Sequence, residues 1–147
     1  MTLRIELSQN PSPEERLAIL KPLRAYNIAN AGEGHREDIA LLVRDEETDE
    51  ILGGLYGSVF YQWLFIDLLS VPEQARGQGV GSRLMHMAEA LAQQKNCVGM
   101  YLDTFEFQAP GFYKKMGFSE FGHMDDYPPG HKRFFFQKRL TNAGQHA

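Results

Sequence analysis

The sequence has few cysteines and no long apolar run, and each absence excludes a class of protein. The chain has one cysteine, Cys97, so it cannot form an internal disulfide, and its composition is not that of a small disulfide-stabilised secreted domain. The apolar run over residues 63–69 is interrupted by Asp67, and no stretch approaches the roughly 18 apolar residues of a membrane span. The first residues alternate polar and apolar, unlike a signal peptide. These absences predict a cytoplasmic protein with no membrane segment.

Basic charge is also scarce. Lys and Arg number 15 against 19 Asp and Glu, and the formal net charge is −4. A nucleic-acid-binding protein usually presents a basic face, so this balance argues against that class and favours a cationic or amine-bearing partner.

The size and composition are those of one ordinary globular domain. The chain has 147 residues, of which 43% are hydrophobic and 23% are charged, enough for a sizeable core. We predict a single domain over residues 1–140, followed by a flexible polar tail, residues 141–147.

Alternation and breaker residues predict an order of strands and helices. Ser12, Pro13 and Glu15 predict a capped helix start, and Pro22 predicts a break into two helices. The unit of central strand, glycine turn, helix and strand predicts a parallel crossover. Strands are predicted at residues 2–7, 39–44, 51–61, 63–71, 98–105, 118–123 and 133–138, and an amphipathic helix is predicted from Leu84, Ala88, Leu91 and Ala92.

A glycine-rich turn after the central strand is the most informative motif. Gly77, Gly79 and Gly81 lack a Cβ, so backbone N–H groups can crowd around a ligand there. The following helix directs its positive dipole end at the same place, and Arg76 adds a full positive charge. This arrangement predicts a cradle for phosphate oxygens.

Three other interpretations of this turn are possible. A Walker-type loop needs a lysine before Ser82, and none is present. A dinucleotide-binding loop needs G-x-G-x-x-G, whereas these glycines are spaced G-x-G-x-G, although Asp103 could stand in for the ribose-binding acid. An ordinary glycine turn before a helix is the remaining alternative to a pyrophosphate loop.

A second motif favours the pyrophosphate loop. Residues 109–118 read APGFYKKMGF. Together with Arg76, Gly79 and Gly81, this segment resembles the two signatures of the GNAT superfamily of N-acetyltransferases, which use acetyl-CoA. The resemblance covers residues 38–140 and departs at Glu106, where the family often has an asparagine that binds the pantetheine arm. The matching positions of the second motif are Ala109, Phe112, Tyr113, Lys115, Gly117 and Phe118.

The resemblance implies the fold and the activity. The expected fold is a mixed α/β (α+β) sheet of about six or seven strands, with helices on both faces and a splayed central strand pair. The expected reaction moves an acetyl group from acetyl-CoA to a primary amine of a small molecule or peptide. The resemblance also leaves a homodimer open.

The family motifs also imply the cofactor-binding and catalytic residues. Tyr113 is the expected proton donor to the CoA thiolate, because a phenol is protonated at neutral pH. Asp67 is the expected general base, because a carboxylate desolvated within an apolar strand becomes more basic. The expected contacts of acetyl-CoA are Leu68, Leu69, Val71, Arg76, Gly77, Gln78, Gly79, Val80, Gly81, Ser82 and Phe112.

Acceptor-side residues are expected on the second helix and on the segment before the last strand. His and Asp side chains in that segment show no regular metal-ligand spacing, so we predict no metal site. A second function remains open, a non-catalytic acyl-CoA-binding sensor or interaction module on the same fold. The acceptor-side residues are Tyr26, Asn27, Asn30, His123 and Tyr127.

Overall fold

The computed structural model describes residues 1–140, and the N-terminal unit, Met1–Gly34, contains one helix. Helix α1 spans Pro13–Ala31. Ser12 Oγ accepts a hydrogen bond from the Glu15 N–H at 3.1 Å, and Glu15 Oε1 accepts one from the Ser12 N–H at 2.8 Å. The helix ends at Gly32, which takes a φ of 80°. The predicted capping box is therefore confirmed.

Two predictions for this unit are wrong. Pro22 lies inside a continuous α1 and does not divide it. Proline removes one backbone hydrogen bond, and a helix capped at both ends tolerates that loss. Residues 2–7 form no strand. Alternation alone does not make a strand, because the backbone needs a paired neighbour to accept its hydrogen bonds.

From His35 onward the described chain builds a mixed sheet of six strands in the order β1-β2-β3-β4-β6-β5. The pairs are antiparallel except for β3 and β4, which are parallel. The strand count and the parallel pair confirm the predicted fold. The strands are β1 Glu37–Arg44, β2 Ile51–Phe60, β3 Trp63–Ser70, β4 Gly99–Phe105, β5 Ser119–Asp125 and β6 Lys132–Arg139.

Two helices accompany the sheet. Helix α2 spans Val80–Gln94 and connects β3 to β4, and the short α3 spans Pro110–Lys115. The apolar stripe of α2 lies on the sheet because its spacing follows the helical repeat. The buried core comprises Leu84, Met85, Ala88 and Ala92 of α2 with Leu55, Leu64, Ile66, Met100, Leu102 and Phe136 of the strands.

A β-bulge in β3 changes which side chains face the core. Tyr56 of β2 pairs with Leu68 while the next residue pairs with Ile66, so Asp67 is the extra residue. Ile66 is 3% exposed, Leu68 is 61% exposed, and Leu69 again packs against the core. The bulge therefore turns Asp67 and Leu68 out of the apolar layer.

The parallel pair β3–β4 opens just beyond this bulge. Pairing covers residues 63–66 of β3 and 99–102 of β4, although both strands continue further. The predicted splay of the central strand pair is thus present, and it leaves one backbone edge of β3 without a strand neighbour beyond Ile66.

The prediction of one domain over residues 1–140 stays a prediction, and the predicted tail, residues 141–147, lies outside the described residues. No helix within residues 1–140 has the length and apolar character needed to cross a membrane.

Candidate active site

The glycine turn ends in an open cradle at the start of α2. Gly77 and Gly79 take φ angles of 81° and 76°, a region that favours glycine. A Cβ built on either residue would meet no atom within 4 Å. Gly79 caps α2 without any side-chain hydrogen bond, so the first N–H groups of the helix have no partner from the helix or its cap. Arg76 is exposed beside this cradle.

A cavity of about 470 Å³ lies where β3 and β4 diverge. It reaches from Gly81 of α2 along the free edge of β3 to Tyr113 of α3. Its walls bring together residues that are more than 40 positions apart in the sequence. The lining residues are Ile66, Asp67, Leu68, Leu69, Ser70, Val71, Gly81, Leu102, Asp103, Thr104, Gln108, Ala109, Phe112 and Tyr113.

One group of the predicted cofactor residues therefore lines the cavity, and the other group lies in the cradle. Leu68, Leu69, Val71, Gly81 and Phe112 line the cavity. Gly81 and Phe112 are close enough that a Cβ on Gly81 would lie 3.5 Å from the Phe112 ring. The cradle carries the remaining predicted residues, namely Arg76, Gly77, Gln78, Gly79, Val80 and Ser82.

Tyr113 presents a buried phenol to this cavity. Its residue is 9% exposed, and its ring contacts those of Phe112, Phe118 and Phe136 at centroid distances of 5.2, 6.2 and 6.2 Å. Burial raises the pKa of the Tyr113 phenol. Within the described chain its hydroxyl has no hydrogen-bond partner. The group is therefore a protonated donor at neutral pH that no protein acceptor already occupies.

Asp67 lies at the cavity as predicted, but in a different environment. The bulge places it among exposed residues rather than inside the apolar layer, so the expected desolvation is not present. No ion pair or hydrogen bond engages its carboxylate among residues 1–140. Asp67 therefore offers an unpaired negative charge at the cavity wall.

A cluster of charged and aromatic side chains lies at the carboxyl end of β4, and we call it the β4-end cluster. It consists of Asp103, Phe105, Glu106, Phe107, Tyr127, His131 and Arg133. Arg133 forms an ion pair with Asp103, and its guanidinium lies over the rings of Tyr127 at 4.4 Å and Phe105 at 5.2 Å. His131 Nδ1 lies 2.8 Å from Glu106 Oε1. These contacts join the β5–β6 turn to the segment that leads into α3.

The predicted acceptor residues are distributed over three places. Tyr127 belongs to the β4-end cluster through its contact with Phe105 at 5.7 Å. His123 lies on β5, 3.7 Å from Asp125 and 4.0 Å from Glu120. Tyr26, Asn27 and Asn30 lie on α1 of the N-terminal unit, where Asn30 Nδ2 donates to the Tyr26 carbonyl at 2.9 Å. Within residues 1–140, no group of three or more His, Cys, Asp and Glu side chains is arranged to hold a metal ion.

Sequence reasoning did not assign a role to the pairs that organise the β4-end cluster. Glu106 and His131 are 25 positions apart, and Asp103 and Arg133 are 30 apart. One indirect indication of the Glu106–His131 pair was present in the sequence, because Glu106 occupies a position where the family often has a neutral amide. A carboxylate there pairs with the imidazole instead.

The mixed sheet, the open strand pair and the glycine cradle together define an α/β acyltransferase. The profile of the acetyltransferase (GNAT) family matches residues 4–118. The chain belongs to this family, which confirms the resemblance inferred from the two motifs. GNAT acetyltransferases use acetyl-CoA.

Individual relatives agree with this assignment. The chain is 36% identical over 134 residues to acetyltransferase Atu2258 of Agrobacterium fabrum, covering 91% of this chain and 97% of that protein. It is 46% identical over 95 residues to blasticidin-S acetyltransferase of Streptomyces morookaense, covering 64% of this chain and 70% of that protein. A crystal structure of an acetyltransferase from Bacillus cereus superposes with a TM-score of 0.81 at 38% identity, covering 92% and 98% of the two chains.

Proposed function

We propose that this protein transfers the acetyl group of acetyl-CoA to a primary amine of a small molecule. The observation that carries the proposal is the position of the Tyr113 phenol, in a cavity that continues to the glycine cradle. A phosphate group and a thioester at the two ends of one co-substrate would fit these two features.

The residues present fit acetyl-CoA as a substrate. Open space above Gly77 and Gly79, together with the unpaired N–H groups at the start of α2, suits pyrophosphate oxygens. Arg76 adds positive charge. The free edge of β3 beyond Ile66 offers backbone N–H and C=O groups to the amide groups of the pantetheine arm.

Tyr113 would supply the proton that the reaction needs at sulfur. Acetyl transfer breaks the C–S bond, and the sulfur leaves as a thiolate unless it is protonated. The Tyr113 Oη–H has no acceptor in the described chain, and a phenol is protonated at neutral pH. Burial raises its pKa further. We therefore assign Tyr113 as the general acid for the departing thiolate.

The acceptor is proposed to be a small cationic amine. Asp67 and Asp103 are the charged side chains of the cavity wall, and Asp103 is already paired with Arg133. Asp67 would attract an ammonium group toward the thioester, and its role as general base stays a prediction. A relative whose name specifies blasticidin S supports a small-molecule acceptor over a peptide.

Thiol release from acetyl-CoA tests the proposal. Blasticidin S, spermidine, benzylamine and a lysine-containing peptide are offered as acceptors, and free CoA is measured with a thiol reagent. We expect amine-dependent release, greater with a small amine than with the peptide. Tight CoA binding without release for any acceptor would instead favour the sensor or interaction module.

A further inference from the structure

The Glu106–His131 pair has the geometry of an oriented imidazole base. His131 Nδ1 is 2.8 Å from Glu106 Oε1, and the edge of the imidazole contacts the Phe107 ring at a centroid distance of 5.2 Å. These two contacts fix the plane and rotation of the ring. When the imidazole is neutral, Nδ1–H donates to the carboxylate and Nε2 carries the lone pair. Nε2 has no other polar partner in the described part of the chain.

Glu106 belongs to the chain segment that borders the cavity, and His131 reaches this segment through its contact with Glu106. Glu106 follows the last residue of β4, and Thr104 and Gln108 on either side of it both line the cavity. Gln108 Oε1 accepts hydrogen bonds from the Phe105 N–H at 3.0 Å and from Thr104 Oγ1 at 3.3 Å, which fixes this segment. The His131 side chain is 48% exposed, so Nε2 remains accessible to an amine entering from solvent.

Other charged groups near His131 are already engaged. Asp126 Oδ1 accepts a hydrogen bond from the Gly130 N–H at 3.1 Å. Arg133 on β6 is paired with Asp103. Glu106 is thus the charged group that contacts the imidazole directly.

We propose that His131 is the general base of the acetyl transfer, with Glu106 as its positioning residue. This proposal rests on the proposed function. Nε2 takes one proton from the ammonium form of the acceptor, and the freed lone pair forms the C–N bond as the C–S bond breaks. Tyr113 gives its proton to the thiolate. The nitrogen of the new C–N bond then loses its second proton, which returns through solvent to the Tyr113 phenolate. Glu106 stabilises the resulting imidazolium, which returns its proton to solvent.

Chemical rescue separates this role from a purely structural pairing. His131→Ala should lower kcat/KM by about 10²-fold or more with the best acceptor of the panel, while KM for acetyl-CoA changes little. Added imidazole should restore part of the rate in proportion to its free-base concentration, because the small base can occupy the space of the missing ring. His86→Ala, which removes an exposed histidine of α2, is the matched control and should behave as wild type without rescue.

The positioning role of Glu106 has its own readout. Imidazole ¹⁵N chemical shifts report which nitrogen carries the proton, and we expect the Nδ1–H tautomer for His131 in the wild type. Glu106→Leu should shift the population toward the Nε2–H tautomer and lower kcat about tenfold, and Glu106→Asp should recover part of both. Unchanged tautomer populations in Glu106→Leu would refute the positioning role.

The outcomes also separate this proposal from the proposed function. If Tyr113→Phe loses turnover while His131→Ala retains it, His131 is not the base and the acetyl transfer stands. If Asp67→Asn shows the larger loss and imidazole does not rescue His131→Ala, the base is Asp67. Absence of amine-dependent thiol release by the wild-type protein would remove the proposed function and this inference together.

Discussion

The glycine cradle and the β4-end cluster differ in whether backbone or side chains determine their shape. At the cradle, the shape comes from backbone: positive φ angles at Gly77 and Gly79, unpaired N–H groups, and empty space where a Cβ would be. In the β4-end cluster, the shape comes from side chains that reach across the fold, such as Arg133 between Phe105 and Tyr127. A backbone cradle suits a ligand common to a whole family, whereas side-chain pairs can vary with the acceptor.

Tyr113 lines the cavity at the end opposite Gly81, and its removal should have the largest effect on the reaction. Tyr113→Phe deletes the proton donor and keeps the ring contacts with Phe112, Phe118 and Phe136. General acid catalysis contributes about 10²–10⁴-fold, or roughly 3–5 kcal/mol of barrier. We expect kcat to fall by that order while affinity for CoA is little changed, as measured by thiol release and by titration calorimetry.

A second tyrosine provides the control for this substitution. Tyr101 of β4 is 40% exposed and lies outside the cavity wall. Tyr101→Phe should leave kcat unchanged. Wild-type turnover in Tyr113→Phe, under conditions where chemistry limits the rate, would mean that the thiolate takes its proton from water.

The difference between local backbone features and long-range side-chain contacts also explains which parts of the molecule could be predicted from the sequence. The cradle was predictable because glycine spacing and a helix start are local features. Tyr113 was predictable because its motif lies within ten consecutive residues. By contrast, the bulge at Asp67 depends on how β2 pairs with β3, and the sequence around Asp67 gives no local sign of it.

Three further features of the structure differ from the sequence-based expectations or were not predicted. The Glu106–His131 contact follows from the β5–β6 turn meeting the end of β4, which no local pattern encodes. Pro22 was expected to divide a helix, but the caps at Ser12 and Gly32 outweigh one missing hydrogen bond. Residues 2–7 have the alternation of a strand and form none, because pairing rather than alternation makes a strand.

A matched pair of glycine substitutions tests whether the cradle and the β4 end are separate. Gly79→Val places a branched side chain in the open space of the cradle and strains a φ of 76°. We expect the Kd for CoA to rise about 10- to 100-fold, which corresponds to roughly 1.4–2.7 kcal/mol. Isothermal titration with CoA measures the change.

Gly130 is the control, because it also has a positive φ, 87°, and open space around its Cβ position, but lies in the β5–β6 turn. Gly130→Val should cost similar backbone strain and leave the Kd for CoA near the wild-type value. Equal losses of CoA affinity in the two variants would mean that the cradle is not the phosphate site.

The Asp103–Arg133 pair tests the side-chain end by stability rather than by binding. Both side chains are 22% exposed. Asp103→Asn leaves a partly buried guanidinium without its counter-charge, and we expect the free energy of unfolding to fall by about 1–3 kcal/mol. Denaturant unfolding monitored by circular dichroism measures it.

The double variant Asp103→Asn/Arg133→Met provides the comparison for that loss. It removes both charges and keeps an apolar side chain between the two rings, so it should recover part of the lost stability. CoA affinity should change less in either variant than in Gly79→Val. A double variant that is no more stable than Asp103→Asn would argue against a direct energetic coupling of the pair.

The smallest expected effect is an alkaline loss of stability that originates at Tyr113. Burial raises the pKa of this phenol in the folded state, while in the unfolded chain it titrates near its ordinary value of about 10. Above that pH the folded state holds more protons than the unfolded state, so the free energy of unfolding falls as pH rises toward the folded-state pKa. Below about pH 9 the contribution is constant.

Urea unfolding at a series of pH values from about 8 to 11 should therefore show a steeper alkaline decline for wild type than for Tyr113→Phe, and Tyr101→Phe should follow the wild type. Parallel curves for wild type and Tyr113→Phe would indicate that the phenol ionises in the folded protein as readily as in water, which would place it in a solvated part of the cavity.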